Sequence, residues 1–127
     1  MTEWVTEQVD LLRTQWPDLT YLTDGRWVLL PHWDLPDGWS ASTVDIACQI
    51  PATPEQPPYA FYVNVQNLTF NGYQPGNWTP SASVPFGGSW SVFSWAPEGW
   101  WATGSANLGP NMLTFARSFG DRLAEGA

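Results

Sequence analysis

The chain lacks lysine altogether, and its four basic residues are all arginine. Against them stand 12 acidic residues, so the formal net charge at neutral pH is −8. A protein that binds nucleic acid needs a basic face that releases counterions from the phosphates, and anionic membrane surfaces attract basic segments. The composition therefore excludes nucleic acid and anionic membranes from the expected partners.

Cysteine and histidine each occur once, as Cys48 and His32. One cysteine cannot form an internal disulfide, and a structural zinc site takes four ligands drawn mainly from cysteine and histidine. We therefore expect no metal and no other cofactor. His32 follows a predicted strand, and we interpret it as a surface or loop histidine rather than a general base or metal ligand.

Long apolar runs are also missing, which argues against a transmembrane helix of about 20 apolar residues. The stretch Met1–Trp4 has neither a basic region nor an apolar core, so we expect no signal peptide and a cytoplasmic location. What the sequence does contain is a hydrophobic fraction of 43% and an aromatic fraction of 16%. This composition predicts a packed core, and 127 residues predict a single domain over residues 1–127.

Apolar residues at helical spacing predict one helix near each end of the chain. The first helix has Thr2 as its N-cap and ends before Pro17, and its apolar stripe comprises Val5, Val9, Leu12 and Trp16. The second helix has Pro110 in its first turn, and its stripe comprises Met112, Phe115, Ala116, Phe119 and Leu123. Strands flanked by two helices predict an α+β fold with both helices on one side of the sheet.

Between the helices, alternating patterns predict antiparallel strands at residues 20–23, 26–30, 43–50 and 59–65. Asp24 and Gly25 predict a hairpin turn between the first two strands, and residues 31–42 are predicted to be a loop. The alternation places Cys48 on an apolar face, which predicts a buried thiol. Residues 66–109 hold five tryptophans among many turn residues, and we expect an ordered but irregular segment there.

A proline-rich stretch, Ile50–Pro58, leads directly into the aromatic segment Tyr59–Val63. This stretch resembles the turn that joins the third and fourth strands of the ubiquitin-conjugating (UBC) fold. The chain is also similar to the bacterial UBC-like group called prokaryotic family E, in matching segments at residues 28–31, 35–39, 43–46, 90–95 and 99–100. The resemblance extends over residues 20–123. It implies a UBC-like fold with an N-terminal helix, an antiparallel meander of about four strands, a long irregular tryptophan-rich segment and a C-terminal helix.

Active members of that superfamily carry a thioester-forming cysteine beyond the fourth strand, after a His-Pro-Asn segment. Downstream of Pro58 this chain has neither cysteine nor histidine, and its nearest match is the stretch Pro75–Asn77. The resemblance therefore implies a non-catalytic binding or adaptor subunit of a bacterial ubiquitin-like modification system. The partners that it implies are a ubiquitin-like protein and an activating-enzyme-like or JAB-peptidase-like protein.

Two other functions remain open on the sequence. An active conjugating enzyme would use Ser89 to form an oxyester, or Cys48 as a displaced nucleophile, and either group needs activation by a base or a cation. Alternatively, the ten tryptophans suggest a carbohydrate- or peptide-binding module. Neighbours in an extended stretch point in opposite directions, so at least one of Trp100 and Trp101 is expected to be exposed. Trp39, in a turn, is a further exposed candidate for binding.

Overall fold

A computed structural model of the chain describes residues 2–97, 99–101 and 109–126. The described residues form two helices, six strands and one short 3-10 helix. Their bounds are α1 Glu3–Arg13, β1 Thr20–Leu22, the 3-10 helix Asp24–Arg26, β2 Trp27–Asp34, β3 Thr43–Gln49, β4 Phe61–Val63, β5 Trp78–Ala82, β6 Trp90–Phe93 and α2 Met112–Ala124. The strands make one antiparallel sheet in the order β1-β2-β3-β4-β6-β5. The α+β class is confirmed, with six strands instead of about four.

Side-chain caps begin both helices. At α1 the hydroxyl of Thr2 accepts a hydrogen bond from the N–H of Val5 at 3.2 Å, as predicted for the N-cap. At α2 the side chain of Asn111 accepts from the N–H of Thr114 at 2.8 Å, and the Thr114 hydroxyl accepts from the N–H of Asn111 at 3.1 Å. Pro110 therefore precedes the cap and does not lie in the first turn as predicted. Of the helices in the described part of the chain, neither is long and apolar enough to cross a membrane.

Both helices bury their apolar stripes in one core on a single face of the sheet. In α1 the stripe residues Val5, Val9 and Leu12 are buried, and all five predicted stripe residues of α2 are buried as well. The ring of Phe119 stacks on Phe61 of β4 with centroids 4.4 Å apart, and it meets Phe93 of β6 at 5.3 Å. Removing this apolar surface from water is the main force that holds the helices on the sheet.

The stretch of residues 66–109, predicted to be irregular, contains two strands. β5 pairs with β6, and β6 in turn pairs with β4. In β5 the three central residues Thr79, Pro80 and Ser81 are all exposed, and β6 is only four residues long. The period of two that identifies a strand is therefore absent from β5 and too short to recognise in β6. The prediction of one irregular segment was wrong for these residues.

β2 is longer than predicted and extends to Asp34, into the stretch Pro31–Ser42 that was expected to be a loop. Its pairing with β3 resumes after a bulge, where Trp33 lies opposite Val44. His32 occupies the bulge with a φ of 57°, a left-handed conformation that is uncommon outside glycine. The bulge turns Trp33 toward the core, where its ring meets Phe119 at 6.2 Å.

The other predicted strands are present, with altered ends. Asp24 and Gly25 join β1 to β2 through the 3-10 helix instead of a two-residue turn. β3 ends at Gln49, one residue earlier than predicted. β4 is confined to Phe61–Val63, and it begins there because Ala60 has a φ of 72°, which no extended strand accommodates.

The face of the sheet opposite the helices, which we call the outer face, is covered in part by the loop between β5 and β6. Phe86 of this loop meets Trp27 of β2 at 6.5 Å and Trp90 at 6.4 Å between ring centroids. Trp27 also meets Tyr62 of β4 edge-on at 5.2 Å. Ala47, which lies between β2 and β4 in the sheet, is fully buried. Aromatic residues thus give the outer face a small apolar layer of its own.

Candidate functional site

Cys48 lies in the middle of β3, opposite Val28 of β2, with 1% of its surface exposed. Burial raises the pKa of its thiol from the ordinary value of 9.0 to about 12, because the charged thiolate would lose its hydration. The thiol is therefore protonated at physiological pH and has no access to solvent. The prediction of a buried thiol is confirmed, and Cys48 is not placed to act as a nucleophile.

Ser89 is exposed in the loop before β6, and its side chain forms no hydrogen bond with any other described residue. His32 is exposed at the bulge of β2. β3 and β4 lie between β2 and β6, so about 14 Å of sheet separates the two strands at ordinary strand spacing. That distance is too long for the imidazole to take a proton from the hydroxyl.

His32 instead lines a groove of about 470 Å³ between the segment that follows α1, the end of β2 and α2. The groove is lined by Gln15, Trp16, His32, Trp33, Asp34, Arg117, Gly120 and Asp121. The indoles of Trp16 and Trp33 stack on each other with centroids 5.1 Å apart. Within the described residues, no group of three or more histidine, cysteine, aspartate or glutamate side chains is arranged to hold a metal ion. The groove therefore offers mixed charges on its rim and no metal site in this part of the chain.

Trp39, predicted to be exposed, is 8% exposed. Its indole N–H donates to the backbone carbonyl of Leu123 at 2.9 Å, and its ring meets Phe70 at 5.2 Å and Phe93 at 6.2 Å. The side chain enters the core because the last carbonyls of a helix need partners, and the indole supplies one for α2. The expectation of an exposed binding residue was therefore wrong for Trp39.

The adjacent pair Trp100 and Trp101 divides as predicted, with one indole exposed. Trp101 is 59% exposed. Trp100 is half-buried, and its indole N–H donates to the carbonyl of Pro54 at 2.8 Å. Of this pair, only Trp101 presents a large aromatic surface to solvent.

The segment Ile50–Pro58, which we call the proline loop, is held by two indoles. Trp4 of α1 donates its N–H to the carbonyl of Pro51 at 3.1 Å, and Trp100 donates to Pro54. The two indoles also meet edge to face with centroids 6.3 Å apart. Backbone carbonyls that would otherwise be left to water are thereby fixed to two bulky side chains. The proline loop is therefore a fixed element of the surface.

Two exposed aromatic residues flank the proline loop. Tyr59 follows it directly, is 62% exposed, and donates its hydroxyl hydrogen to Ser94 Oγ at 3.0 Å. Trp101 follows Trp100, which is bonded to the loop. The third large hydrophobic residue exposed in the described part of the chain, Tyr73, lies in the connection between β4 and β5. Exposed aromatic residues are thus concentrated around the proline loop.

A pocket of about 220 Å³, which we call the Arg26 pocket, is lined in part by the proline loop and by Tyr59. It is lined by Arg26, Gln49, Ile50, Pro51, Gln56, Pro57, Pro58, Tyr59 and Tyr62. Burial raises the pKa of Tyr62, and the nearby Tyr59 raises it further, so the hydroxyl of Tyr62 keeps its proton. Sequence reasoning missed this pocket, because it joins the β1–β2 turn to the proline loop. The only local signal in the sequence was the turn predicted at Asp24 and Gly25.

No family model matches the chain, and neither a curated protein nor a solved structure matches it. The structure defines an α+β domain in which two helices pack on one face of a six-stranded antiparallel sheet. The resemblance of residues 20–123 to the UBC-like proteins therefore depends on their sequence motifs alone.

Proposed function

We propose that the chain is a UBC-like, non-catalytic binding subunit of a bacterial ubiquitin-like modification system. Its partner is a ubiquitin-like protein, or the activating-enzyme-like or JAB-peptidase-like protein that works with it. The observation that carries the proposal is the burial of Cys48, whose thiol has a pKa of about 12. A conjugating enzyme of the thioester type needs an accessible thiolate, and the only cysteine of the sequence cannot supply one.

From the N-terminal helix to β4, the order of elements agrees with the proposal. An N-terminal helix precedes a meander in which β1, β2, β3 and β4 pair in sequence. After β4 the chain adds β5 and β6, two more strands than the resemblance implies. In the sequence these strands follow β4, which is the position at which the resemblance implies the catalytic segment, and β6 pairs with β4. The departure from the family pattern thus falls at the position where the nucleophile is also missing.

The surface around the proline loop is the binding surface in this proposal. Large exposed aromatic residues are enriched at protein interfaces, and a fixed backbone lowers the conformational entropy lost on binding. Tyr59 and Trp101 supply the aromatic surface, and the bonds from Trp4 and Trp100 supply the fixed backbone. A sugar platform built from Trp39, Trp100 and Trp101 is not supported, because only Trp101 is well exposed.

The test is to mix the protein with ATP, magnesium, an activating-enzyme-like protein and a ubiquitin-like protein from a bacterial system. We expect no covalent adduct on a gel, together with a non-covalent complex measurable by calorimetry. Trp101→Ala and Tyr59→Ala should each weaken the complex by roughly tenfold, as expected for aromatic residues at the centre of an interface. Tyr73→Ala is the matched control, because Tyr73 is a large exposed aromatic residue, 78% exposed, that belongs to the connection between β4 and β5.

Two covalent outcomes would overturn the proposal. An adduct that thiols remove and that Cys48→Ala abolishes would make the chain a thioester enzyme. An adduct that resists thiols, is cleaved by hydroxylamine and is lost in Ser89→Ala would make it an oxyester enzyme.

A further inference from the structure

Arg26 is held in a fixed position by the end of β3. Its Nε donates to the carbonyl of Ile50 at 2.8 Å, and the N–H of Ile50 donates back to the carbonyl of Arg26 at 2.9 Å. The amide of Gln49 donates to the carbonyl of Gly25 at 3.0 Å, which fixes the preceding residue. Arg26 itself has a φ of 54°. A left-handed arginine is strained, and surrounding contacts of this kind are what maintain such a conformation.

The fixed guanidinium leaves its terminal nitrogens available. Nε bonds to Ile50, while Nη1 and Nη2 donate to no other described residue. Among the described residues that line the pocket, Arg26 is the only charged one, although the chain as a whole carries a net charge of −8. The nearby acids Asp24 and Glu55 do not line the pocket. The site is thus a local centre of positive charge at which the two Nη groups of Arg26 donate to no other described residue.

The remaining lining is apolar or neutral. It comprises the aromatic residues Tyr59 and Tyr62, Ile50 and prolines of the proline loop, and the neutral amides of Gln49 and Gln56. A volume of about 220 Å³ accommodates a small planar group with one apolar substituent. The volume and the lining therefore suit an anion that is carried on an apolar body.

We propose that the Arg26 pocket binds a carboxylate carried on an apolar segment of a partner polypeptide. A carboxylate is planar and singly charged, and it accepts two parallel hydrogen bonds from one guanidinium. A phosphate carries nearly two charges and would remain under-neutralised by one arginine in an acidic protein. The proposal rests on the proposed function only in assigning the carboxylate to a protein.

The pocket can be tested without the partner by titrating sodium benzoate into the 15N-labelled chain and following its NMR spectrum. We expect saturable shifts of the Arg26 Nε–H signal and of the backbone amides of Gln49 and Tyr62. Benzamide, which has the same shape without the charge, should cause no such shifts. Arg26→Gln should weaken benzoate binding by at least roughly tenfold, because it removes a charged pair of hydrogen bonds.

Arg13→Gln is the matched control. It removes the same charge from an exposed position at the end of α1, and we expect it to leave benzoate binding unchanged. Arg26→Lys keeps the charge but loses the planar pair of donors, so it should weaken binding several-fold at constant net charge. If Arg26→Gln does not fold, Arg26→Lys still tests whether the guanidinium binds the carboxylate. Unchanged affinity in the Arg26 variants, equal binding of benzamide, or tighter binding of inorganic phosphate would each overturn the proposal.

Two peptides separate the sources of the carboxylate. N-acetyl-Leu-Ala-Phe with a free C-terminus presents a terminal carboxylate, and N-acetyl-Leu-Asp-Phe-amide presents a side-chain carboxylate. Binding of either peptide at the Arg26 pocket supports the proposal, and the tighter of the two identifies the source. Binding of benzoate but of neither peptide would overturn the assignment to a polypeptide. A covalent adduct with the ubiquitin-like protein would overturn the proposed function and leave the benzoate result standing.

Discussion

The indole of Trp39 donates its N–H to the carbonyl of Leu123 at 2.9 Å, across 84 positions of sequence. This bond ties the turn after β2 to the end of α2, and it is buried. Trp4, Trp95 and Trp100 are bonded in similar ways, to Pro51, Ser118 and Pro54. Much of the high tryptophan content is therefore structural, because these indoles connect distant segments by one directed bond each.

Replacing Trp39 by phenylalanine should lower the free energy of unfolding by about 1–3 kcal/mol, because the carbonyl of Leu123 would lose its buried partner. Chemical unfolding followed by circular dichroism measures the change. Trp101→Phe is the control and should change stability by less than about 0.5 kcal/mol, since Trp101 is exposed. Equal effects of the two substitutions would show that the Trp39 bond contributes nothing.

Phe119 is the ring on which three other aromatic residues converge, because it contacts Phe61, Phe93 and Trp33. Phe119→Ala should destabilise the fold by about 3–5 kcal/mol through lost burial and the cavity left behind. Urea unfolding measures this loss, with Phe86→Ala as comparison. Phe86 is only half-buried on the outer face, so its removal should have a smaller effect. The reverse order would contradict the assignment of the main core to the helix-covered face.

The buried thiol of Cys48 should make the free energy of unfolding depend on pH in the alkaline range. The pKa of its thiol is raised in the folded state from 9.0 to about 12, so above pH 9 the unfolded chain loses a proton that the folded chain keeps. The free energy of unfolding should therefore be unaffected by this group below pH 9. Above that pH it should fall by about 1.4 kcal/mol per pH unit until the pH approaches 12.

The measurement is the unfolding free energy of the wild type and of Cys48→Ala between about pH 7.5 and about pH 10.5. This range extends to both sides of the ordinary pKa of a thiol. Taking the difference between the two proteins removes the contribution of the tyrosines. The difference should be constant at the lower pH values and decrease at the higher ones. A thiol reagent should react with native Cys48 only as fast as the protein opens. Rapid labelling of the folded protein would contradict the burial of Cys48.

Alanine substitutions at Gly38 and Gly72 distinguish the cost of a steric clash from the cost of a strained backbone. Both have positive φ, 103° and 84°, but a Cβ at Gly38 would lie 2.7 Å from the ring of Phe70, whereas a Cβ at Gly72 meets open space. Gly72→Ala should cost about 1–2 kcal/mol from the conformation alone. Gly38→Ala should cost more, by about 1–3 kcal/mol, because Phe70 must move. Thermal unfolding compares the two variants. Equal losses of stability would contradict a contribution from the clash with Phe70.

The sequence predicts those features whose signals are local. The apolar stripe of α2, the N-cap Thr2 and the inward face that holds Cys48 all depend on spacing along one element, and all three are present. β5 could not be predicted, because an exposed edge strand needs no alternation of polar and apolar residues. Trp39 could not be placed either, since its partner carbonyl lies at the other end of the chain.

The candidate site follows the same rule. The exposure of one residue in the pair Trp100 and Trp101 follows from local geometry, and it was predicted. The Arg26 pocket needs the β1–β2 turn and the proline loop in contact, which no pattern along the sequence specifies.

Pro80 lies within β5, the strand at one edge of the sheet. Proline has no backbone N–H, so this strand offers an interrupted row of donors to any further strand. The opposite edge, β1, is only three residues long. The described sheet is therefore poorly suited to growth by strand addition, which disfavours amyloid-like stacking and dimers formed by edge pairing. Within the described part of the chain, self-association would therefore depend mainly on contacts between side chains.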